Sequence, residues 1–383
     1  MKRLAIITTH PIQYNAPLFK LLNERGKLKL KVFYTWGETV LKKKFDPGFG
    51  QTVQWDIPLL NGYEYCFVGN IAPDPGSHHF KGIDNPNLIN GIKNWGADSL
   101  LVFGWSFKSH LKTIRYFKGK IPVFFRGDST LLQQLSFTKK IIRNLFLKWI
   151  YSHIDYALYV GTYNKQYFQK MGLKENQLLF APHAVDNARF LNEAQEHKEE
   201  IKNLRFSLGI ETVETVFLYA GKLDENKNVQ LLADVFKNLD DMNSHLIIAG
   251  NGVLEVQLKK SYNCKNIHFL PFQNQSLMPT LLGSADVVVL PSKLETWGLI
   301  INEAMACGKP VLVSTGCAAA KDLVIPGLNG YIFKSDDKGS LKRHLQKLLS
   351  RKSDLAGMGN KSQEIIQNWN YTTTCEIIEK KLS

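Results

Sequence analysis

The sequence predicts an α/β protein of two doubly wound, Rossmann-like domains facing one another across a cleft. Three observations carry this. Short β-branched runs alternate with segments of helical period along the whole chain, the pattern of parallel sheets covered on both faces by helices. The pattern breaks once, over the charged stretch Asn187 to Ile210, and then restarts. The length, 383 residues, exceeds what one hydrophobic core organises, while 44% apolar and 21% charged residues are ordinary globular values.

In the first half the strand candidates are "LAIITT", "LKLKVFYTW", "SLLVFGW", "IPVFFRG", "IDYALYV" and "QLLFAP". Between them "APLFKLLNERG" reads as a helix, because Leu18, Leu21 and Leu22 recur at spacings of three and four. The opening "MKRLAIITTHPIQY" is a buried strand rather than a leader, since its apolar run, Leu4 to Ile7, is cut short before His10 and Pro11. In the second half "TVFLYAG", "HLIIAGNG", "IHFLPF", "DVVVLPS", "PVLVST" and "GYIF" alternate with helices "NVQLLADVFKNL", "SLMPTLLGSA", "LIINEAMACG" and "GSLKRHLQKLLS". This predicts domains at 1–195 and 205–366, with Asn187 to Ile210 as the connection. Ligands are expected at the carboxyl ends of the strands.

No apolar run approaches the roughly 18 residues of a membrane span, so the chain is expected to be soluble or peripheral. The five cysteines are scattered, with no CxxC pair and no His/Cys cluster at zinc spacing, which reads as a reducing compartment and no structural metal. The net charge of +14 lies wholly in the first half, where residues 1–190 hold 26 Lys and Arg against 12 Asp and Glu.

The stretch "ETWGLIINEAMACGKPVLVS" sets Glu295 and Glu303 eight positions apart around a Trp-Gly step. On one helix the two would sit roughly 12 Å apart and about 80° out of phase, too far to share one group. With Glu295 in a loop and Glu303 inside the helix that Gly308 and Pro310 end, they can grip two parts of one long ligand. Backbone amides near Gly298 and Leu299 would then face an anion, and Gly298 permits close approach. A nucleotide-diphosphate sugar fits this layout; a solvated Glu295 and a surface Glu303 fit the spacing equally. In "YAGKLDENKN" a strand ends at Gly221, and Lys222 and Lys227 flank the turn into the next helix. Two ammonium groups there suit a diphosphate, or are simply solvated.

The second half resembles the carboxyl-terminal domain of retaining family 4 glycosyltransferases of the GT-B fold. Their Glu-x7-Glu motif is matched by "ETWGLIINE", with Trp297 where Phe is common. Their Gly-Arg-Leu-x-x-x-Lys-Gly motif is matched by "GKLDENKN", with Lys222 for arginine and Asn228 for glycine. The similarity continues through "LIIAGNG", "HFLPF", "SADVVVLPS" and "EAMACGKPVLVS", and "LLFAPHAVDNARF" resembles the family's Asn-Gly-Val-Asp-x-x-x-Phe segment, with His183 for asparagine. The resemblance implies that Glu295 contacts the transferred sugar, and that Trp297, Gly298 and Leu299 lie near that sugar and the distal phosphate. It implies Glu303 on the ribose hydroxyls, Gly221, Lys222 and Lys227 at the diphosphate, and the base near Phe272. It further implies transfer without a protein nucleophile, cofactor or metal; no Asp-x-Asp pair occurs in the sequence. In this fold the chain end, about 367–383, crosses back to the first domain, with Trp369 and Tyr371 at the crossing.

The acceptor side is sought in the first half. Family members often carry a histidine after a later strand; here Arg126 of "FFRGDS" stands at that place. His10, in "THPIQYNAP" with Tyr14, lies at a strand's carboxyl end and either faces the reacting sugar or is a structural histidine. Arg126 and Asp128 either pair with each other or shape the acceptor pocket; Trp105 of "GWSF" either stacks on a sugar or packs in the core. His78 and His79, adjacent in "SHHF", would point to opposite faces of a strand and are assigned no role.

Lys42 and Lys43 before "KFDPGF" form one basic loop. "KKIIRNLFLKWIY" sets Lys139, Lys140, Arg143 and Lys148 among Ile141, Ile142, Leu145 and Trp149, as an interfacial helix on an anionic membrane would, or as a basic helix packed on its own sheet would. A lipid-linked or glycan acceptor in surface-glycan assembly, at the inner face of a membrane, follows from the first reading. No nucleic-acid signature accompanies the charge. Three alternatives stand beside a transferase: a GT-B epimerase or hydrolase, a noncatalytic nucleotide-sugar binder, and a dinucleotide dehydrogenase, for which "AGNG" is at most a partial fingerprint.

Overall fold

A computed structural model describes residues 1–38, 44–46, 51–132, 137–239, 241 and 243–382. The chain opens with β1 (Arg3–Thr8), α1 (Ala16–Glu24) and β2 (Lys29–Tyr34), followed by an antiparallel pair, β3 (Lys44–Asp46) and β4 (Gln51–Val53). It continues through β5 (Glu64–Phe67), α2 (Leu88–Trp95), β6 (Ser99–Phe103), α3 (Lys108–Phe117), β7 (Val123–Arg126), α4 (Phe137–Tyr151), β8 (Tyr156–Tyr159), α5 (Thr162–Lys170) and β9 (Leu178–Phe180). Then come α6 (Asn187–Glu196), α7 (Lys198–Ser207), β10 (Thr215–Ala220), α8 (Val229–Lys237), β11 (Ser244–Ala249), α9 (Glu255–Ser261), β12 (Ile267–Leu270), α10 (Met278–Gly283), β13 (Val287–Leu290) and α11 (Ile300–Ala306). The last are β14 (Val311–Ser314), α12 (Ala319–Leu323), β15 (Gly330–Phe333), α13 (Lys338–Leu349), α14 (Leu355–Ile366) and α15 (Tyr371–Leu382).

Two compact units result. The first holds Met1–Lys43, Pro58–Pro182 and Tyr371–Ser383; the second holds Lys44–Ile57 and His183–Asn370. The junction therefore lies at Pro182–His183 rather than between 195 and 205. The charged stretch read as a linker is α6 and α7, which pack on α10 and α11. The correction has a simple cause: Phe190 is fully buried, and Gly283 leaves space that the Ile201 side chain takes up. The basic loop around Lys42 and Lys43 lies outside the described residues. By unit, the charge is more lopsided than by halves: the first holds 26 Lys and Arg against 11 Asp and Glu, the second 22 against 23.

The first unit is a seven-stranded parallel sheet in the order β5-β2-β1-β6-β7-β8-β9. Alternation along β1 divides its core: Leu4 and Ile6 face Phe19 and Leu22 of α1 and Ile378 of α15, whereas Ala5 and Ile7 face the side of Ile92, Ile114 and Ile150. The strand β5 has no counterpart among the sequence candidates, because an edge strand of four residues with an exposed start carries little periodic signal. Helix α15 is held on this unit by Glu379, which accepts from Arg25 Nε and Nη2 at 2.7 and 2.8 Å. That fork holds the Glu379 carboxyl below its usual pKa.

The second unit is a six-stranded parallel sheet in the order β12-β11-β10-β13-β14-β15. Phe217 and Tyr219 of β10 pack with Leu232 and Phe236 of α8 and with Leu341 and Leu345 of α13. In both sheets the order reverses once, between β1 and β6 and between β10 and β13. The loops at the carboxyl ends of those strand pairs diverge to opposite faces, which opens the place where such sheets bind ligands.

Candidate nucleotide-sugar site

Of the residues predicted for the donor, Gly221, Lys222 and Lys227 follow β10 and Glu295 to Glu303 follow β13, the strands at the second sheet's switch point, whereas Phe272 follows the edge strand β12. The loop after β10 is anchored in the core by the fully buried Leu223 and tied to its neighbours by hydrogen bonds. Lys293 N donates to Asn226 O at 2.8 Å, and Asn226 Nδ2 donates to Leu294 O at 2.8 Å, which ties the two switch-point loops together. Across the tie, Lys227 Nζ forms an ion pair with Glu295 Oε2, the two side chains being 23% and 17% exposed. The Lys227 amide is held by Asp224 Oδ1 at 2.9 Å. Lys222 is half-buried, and its carbonyl accepts from the buried Tyr219 hydroxyl at 2.6 Å.

Asn228 adopts φ 57°, ψ 33°, the left-handed region where a glycine is the usual solution. Its Nδ2 donates to Asp336 Oδ1 at 3.0 Å, so the side chain compensates for the backbone geometry. The glycines of "AGNG" serve close packing of loops: a Cβ on Gly250 would lie 1.9 Å from Gly221 O, and one on Gly252 would lie 2.5 Å from Leu223 O.

After β13, Glu295 is fixed through its backbone, its N–H bonding Gly316 O at 2.9 Å and its carbonyl accepting from Ala318 N at 3.1 Å. Gly298 has φ 96°, and a Cβ there would sit 2.6 Å from Leu290 Cδ2 and 3.0 Å from Cys317 Sγ. Trp297 is buried, stacks on Trp369 at 5.1 Å between centroids, and donates from Nε1 to Asn302 Oδ1 at 2.8 Å. Asn302 Nδ2 in turn donates to His183 O at 2.9 Å. Glu303 sits inside α11 and is 2% exposed, so it is not the surface position that spacing alone allowed. Leu299 caps the same helix.

Phe272 follows β12, with its amide bonded to Asn251 Oδ1 at 2.5 Å. Its ring lies 6.3 Å from Trp55, and Asn274 Nδ2 donates to Gln54 O at 2.7 Å. Trp55 was not found from the sequence, because nothing local signals a partner some 220 residues away.

In the first unit, His10 and Trp105 follow β1 and β6, the strands at that sheet's switch point. His10 Nδ1 lies 2.8 Å from Thr9 Oγ1, and its ring meets Trp36 edge-on at 5.2 Å. Tyr14, in the same loop, and Asp128 are half-buried. Trp105 packs against the core and meets Phe146 of α4 at 6.0 Å, so its packing contact is present. Arg126 departs from the expected acceptor-facing place: 6% exposed, it donates to Ala181 O and Pro182 O at 2.8 and 3.0 Å. Burial pulls its guanidinium down to about 10, with Asp128 opposing. The reason is geometric, since a planar fork matches two successive carbonyls and thereby anchors the end of β9. His110 was missed. Fully buried, it bonds Gly104 O through Nδ1 at 2.9 Å and Thr35 Oγ1 through Nε2 at 2.8 Å, bracing the switch-point loops. Burial lowers it to about 4, so it is neutral.

A lysine–carboxylate pair thus joins two glycine-bearing loops at a switch point, with a buried glutamate in the adjoining helix. Residues 200–367 match the family model for glycosyl transferases, group 1. The matched region contains Lys222, Lys227, Phe272, Glu295 and Glu303 but not Trp55 or Trp369. An uncharacterized glycosyltransferase of Methanocaldococcus jannaschii is 38% identical over 122 residues, 30% of this chain and 31% of that protein. The chain spans about a third to a half of the length of the curated relatives it matches. Among solved structures, sucrose-phosphate synthase from Thermosynechococcus elongatus superposes with a TM-score of 0.76 at 18% identity, covering 100% of this chain and 98% of that one. Anabaena HepE, in a complex with UDP and glucose, superposes with a TM-score of 0.72 at 16% identity, covering 100% of this chain and 99% of that one. The fold is thus that of the GT-B glycosyltransferases.

Proposed function

We propose that this chain is a metal-independent, retaining glycosyltransferase that moves a sugar from a nucleotide-diphosphate sugar to a glycan or lipid-linked acceptor. The observation that carries the reading is the Lys227–Glu295 pair at the β10/β13 switch point, with Glu303 buried in the adjoining helix. A diphosphate entering there takes Lys227 from Glu295, which frees the carboxylate for hydroxyls of the sugar. Glu303 holds the ribose, Lys222 adds a second cation, and Phe272 with Trp55 flanks the base. As the sugar–phosphate bond breaks, charge grows on the departing diphosphate, and fixed cations stabilise it most where water is excluded. The acceptor hydroxyl attacks the anomeric carbon from the same face, and its proton passes to the leaving phosphate oxygen.

Helix α4 supports an acceptor held at a membrane surface. Ile141, Ile142, Leu145, Phe146 and Trp149 are all exposed, Ile142 and Leu145 at 72% and 67%. At helical spacing they share one arc of about 140°. Lys148 is exposed beside that arc, and Arg115 of α3 lies over the Trp149 ring at 5.2 Å. An apolar stripe edged by cations on a unit of strong positive charge suits the interface of an anionic bilayer. Among the described residues no helix is long and apolar enough to cross a membrane. The proposed mode of action is that of a peripheral enzyme at the cytoplasmic face, resting on the α4 stripe.

The test is incubation with UDP-, GDP-, ADP- and dTDP-sugars, with and without acceptor glycolipid. Nucleoside diphosphate released only with acceptor, and a product whose anomeric configuration matches the donor, supports the proposal. Release without acceptor makes the protein a hydrolase or epimerase, and inversion sinks the retaining mechanism. Equal sedimentation with neutral and acidic vesicles at low salt would remove the membrane part.

A further inference from the structure

The segment joining β5 to α2 is a loop closed at its neck. Asn70 Oδ1 accepts from Ala72 N and Asp84 N at 3.1 and 2.9 Å, its Nδ2 donates to Gly82 O at 2.9 Å, and Ile71 N donates to Asp84 O at 2.9 Å. Inside the neck two glycine backbones stack: Gly76 N donates to Gly82 O at 3.0 Å, and a Cβ on Gly82 would lie 2.2 Å from Gly76 O. The expectation that His78 and His79 diverge as strand neighbours is corrected here, because they lie in a bend and not in a strand. Their rings are 4.6 Å apart at 68°; His78 Nε2 faces the Asp74 carboxylate, and His79 Nε2 lies between that carboxylate and the Asp74 carbonyl oxygen, 3.1 Å from the latter.

The Asp74 Oδ2 to His78 Nε2 distance is 3.3 Å, and the Asp74 Oδ2 to His79 Nε2 distance is 3.2 Å. All three donor atoms lie within 4.8 Å of one another. Bonds of 2.0–2.1 Å to a tetrahedral zinc ion imply ligand-to-ligand edges of about 3.3–3.4 Å. The two histidine–aspartate edges, 3.3 and 3.2 Å, lie within about 0.2 Å of that length. The backbone makes the arrangement specific to this sequence: a Cβ at position 76 would lie 2.4 Å from Cε1 and Nδ1 of His78, so glycine is what lets the imidazole lie over the turn.

We propose that Asp74, His78 and His79 bind one divalent transition-metal ion of the zinc class, which staples the outer turn of this loop. Two imidazoles and one carboxylate favour zinc, cobalt or nickel over magnesium or calcium, whose ligands are oxygens. Three protein ligands leave one position to water, and all three side chains are partly or wholly solvent-exposed, so the ion enters directly from solution. The site is structural. Its neck residues lead to Asn85, whose Nδ2 donates to Thr35 O at 2.9 Å, and to Asp84, paired with Lys108 at 2.6 Å, so stapling stiffens the carboxyl edge of the first sheet. It is independent of the glycosyl-transfer reading and of the metal-free chemistry proposed there.

The test uses untagged full-length protein, stripped with chelator and kept reduced, titrated calorimetrically with zinc chloride and by absorbance with cobalt chloride. Wild type should take one equivalent, show the visible bands of cobalt in a low-symmetry N/O site, and melt at a higher temperature with zinc. His78→Gln and His79→Gln should each weaken zinc binding by at least about tenfold and abolish that thermal shift. Gly76→Ala should weaken binding while leaving the ligands in place. Zinc affinity unchanged in the double His78→Gln/His79→Gln variant, or no binding to wild type at 100-fold excess over protein (about a millimolar titrant), overturns the proposal.

Discussion

Lys227 and Glu295 form a partly buried ion pair that joins the loop after β10 to the loop after β13. Each is therefore the other's counter-ion until a ligand takes one of them. Replacing Glu295 by Gln leaves the ammonium without its carboxylate. Nucleoside diphosphate should then bind several-fold tighter, while turnover falls tenfold or more. Glu303→Ala should act oppositely on binding, costing about 1.5–3 kcal/mol of nucleotide affinity through lost charged hydrogen bonds. Calorimetry with the diphosphate and steady-state kinetics separate the two; parallel losses of affinity in both variants would contradict this division.

Trp297 is buried and uses its indole N–H. Trp297→Phe removes the donor to Asn302 Oδ1 and leaves a buried carbonyl oxygen short of a partner. A loss of about 1–3 kcal/mol in urea unfolding is expected. Turnover should fall with it, because Asn302 neighbours Glu303 in α11. Unchanged stability would show that the amide finds another donor.

Asn228 occupies a left-handed backbone position in the loop between β10 and α8. Asn228→Ala should destabilise the second unit by about 1–2 kcal/mol, since alanine brings the Cβ penalty without the bond to Asp336. Asn228→Gly should cost less than alanine. Thermal melts of both variants check the order, and a glycine variant weaker than the alanine one would refute the backbone explanation.

His110 gives the fold a defined acid response. Its folded pKa of about 4 lies below its ordinary value of about 6.5, so below pH 6.5 the unfolded chain binds the proton that the folded one refuses. Stability from this group is complete above pH 6.5 and is lost as pH falls toward 4, by up to about 3 kcal/mol. Unfolding free energies of wild type and His110→Gln at pH 7.5, 6 and 5 should converge as pH falls. A constant difference across that range would place the titration elsewhere.

Much of this was legible in the sequence, for reasons of signal strength. The buried strands of both sheets are runs such as "LAIIT" and "VVVL", which no other element explains, and Glu295, Lys227 and Glu303 stand at spacings that a strand-loop-helix unit imposes. The missed features share one cause. Strand β5, the packing of α6 and α7, the approach of Trp55 to Phe272 and the convergence of His78 and His79 all depend on residues distant in the chain or on a turn with no periodicity.

The order of residues by itself determined two parallel sheets, most of their strands, and which motif residues follow β10 and β13, because hydrophobic period and motif spacing are local properties that burial then enforces. Only the tertiary structure decided that Lys227 neutralises Glu295, that Arg126 turns inward to two carbonyls, and that Asp74 faces both histidines. A charged or polar side chain takes whichever partner the packed backbone brings within hydrogen-bond reach, and that partner is not written in its neighbours.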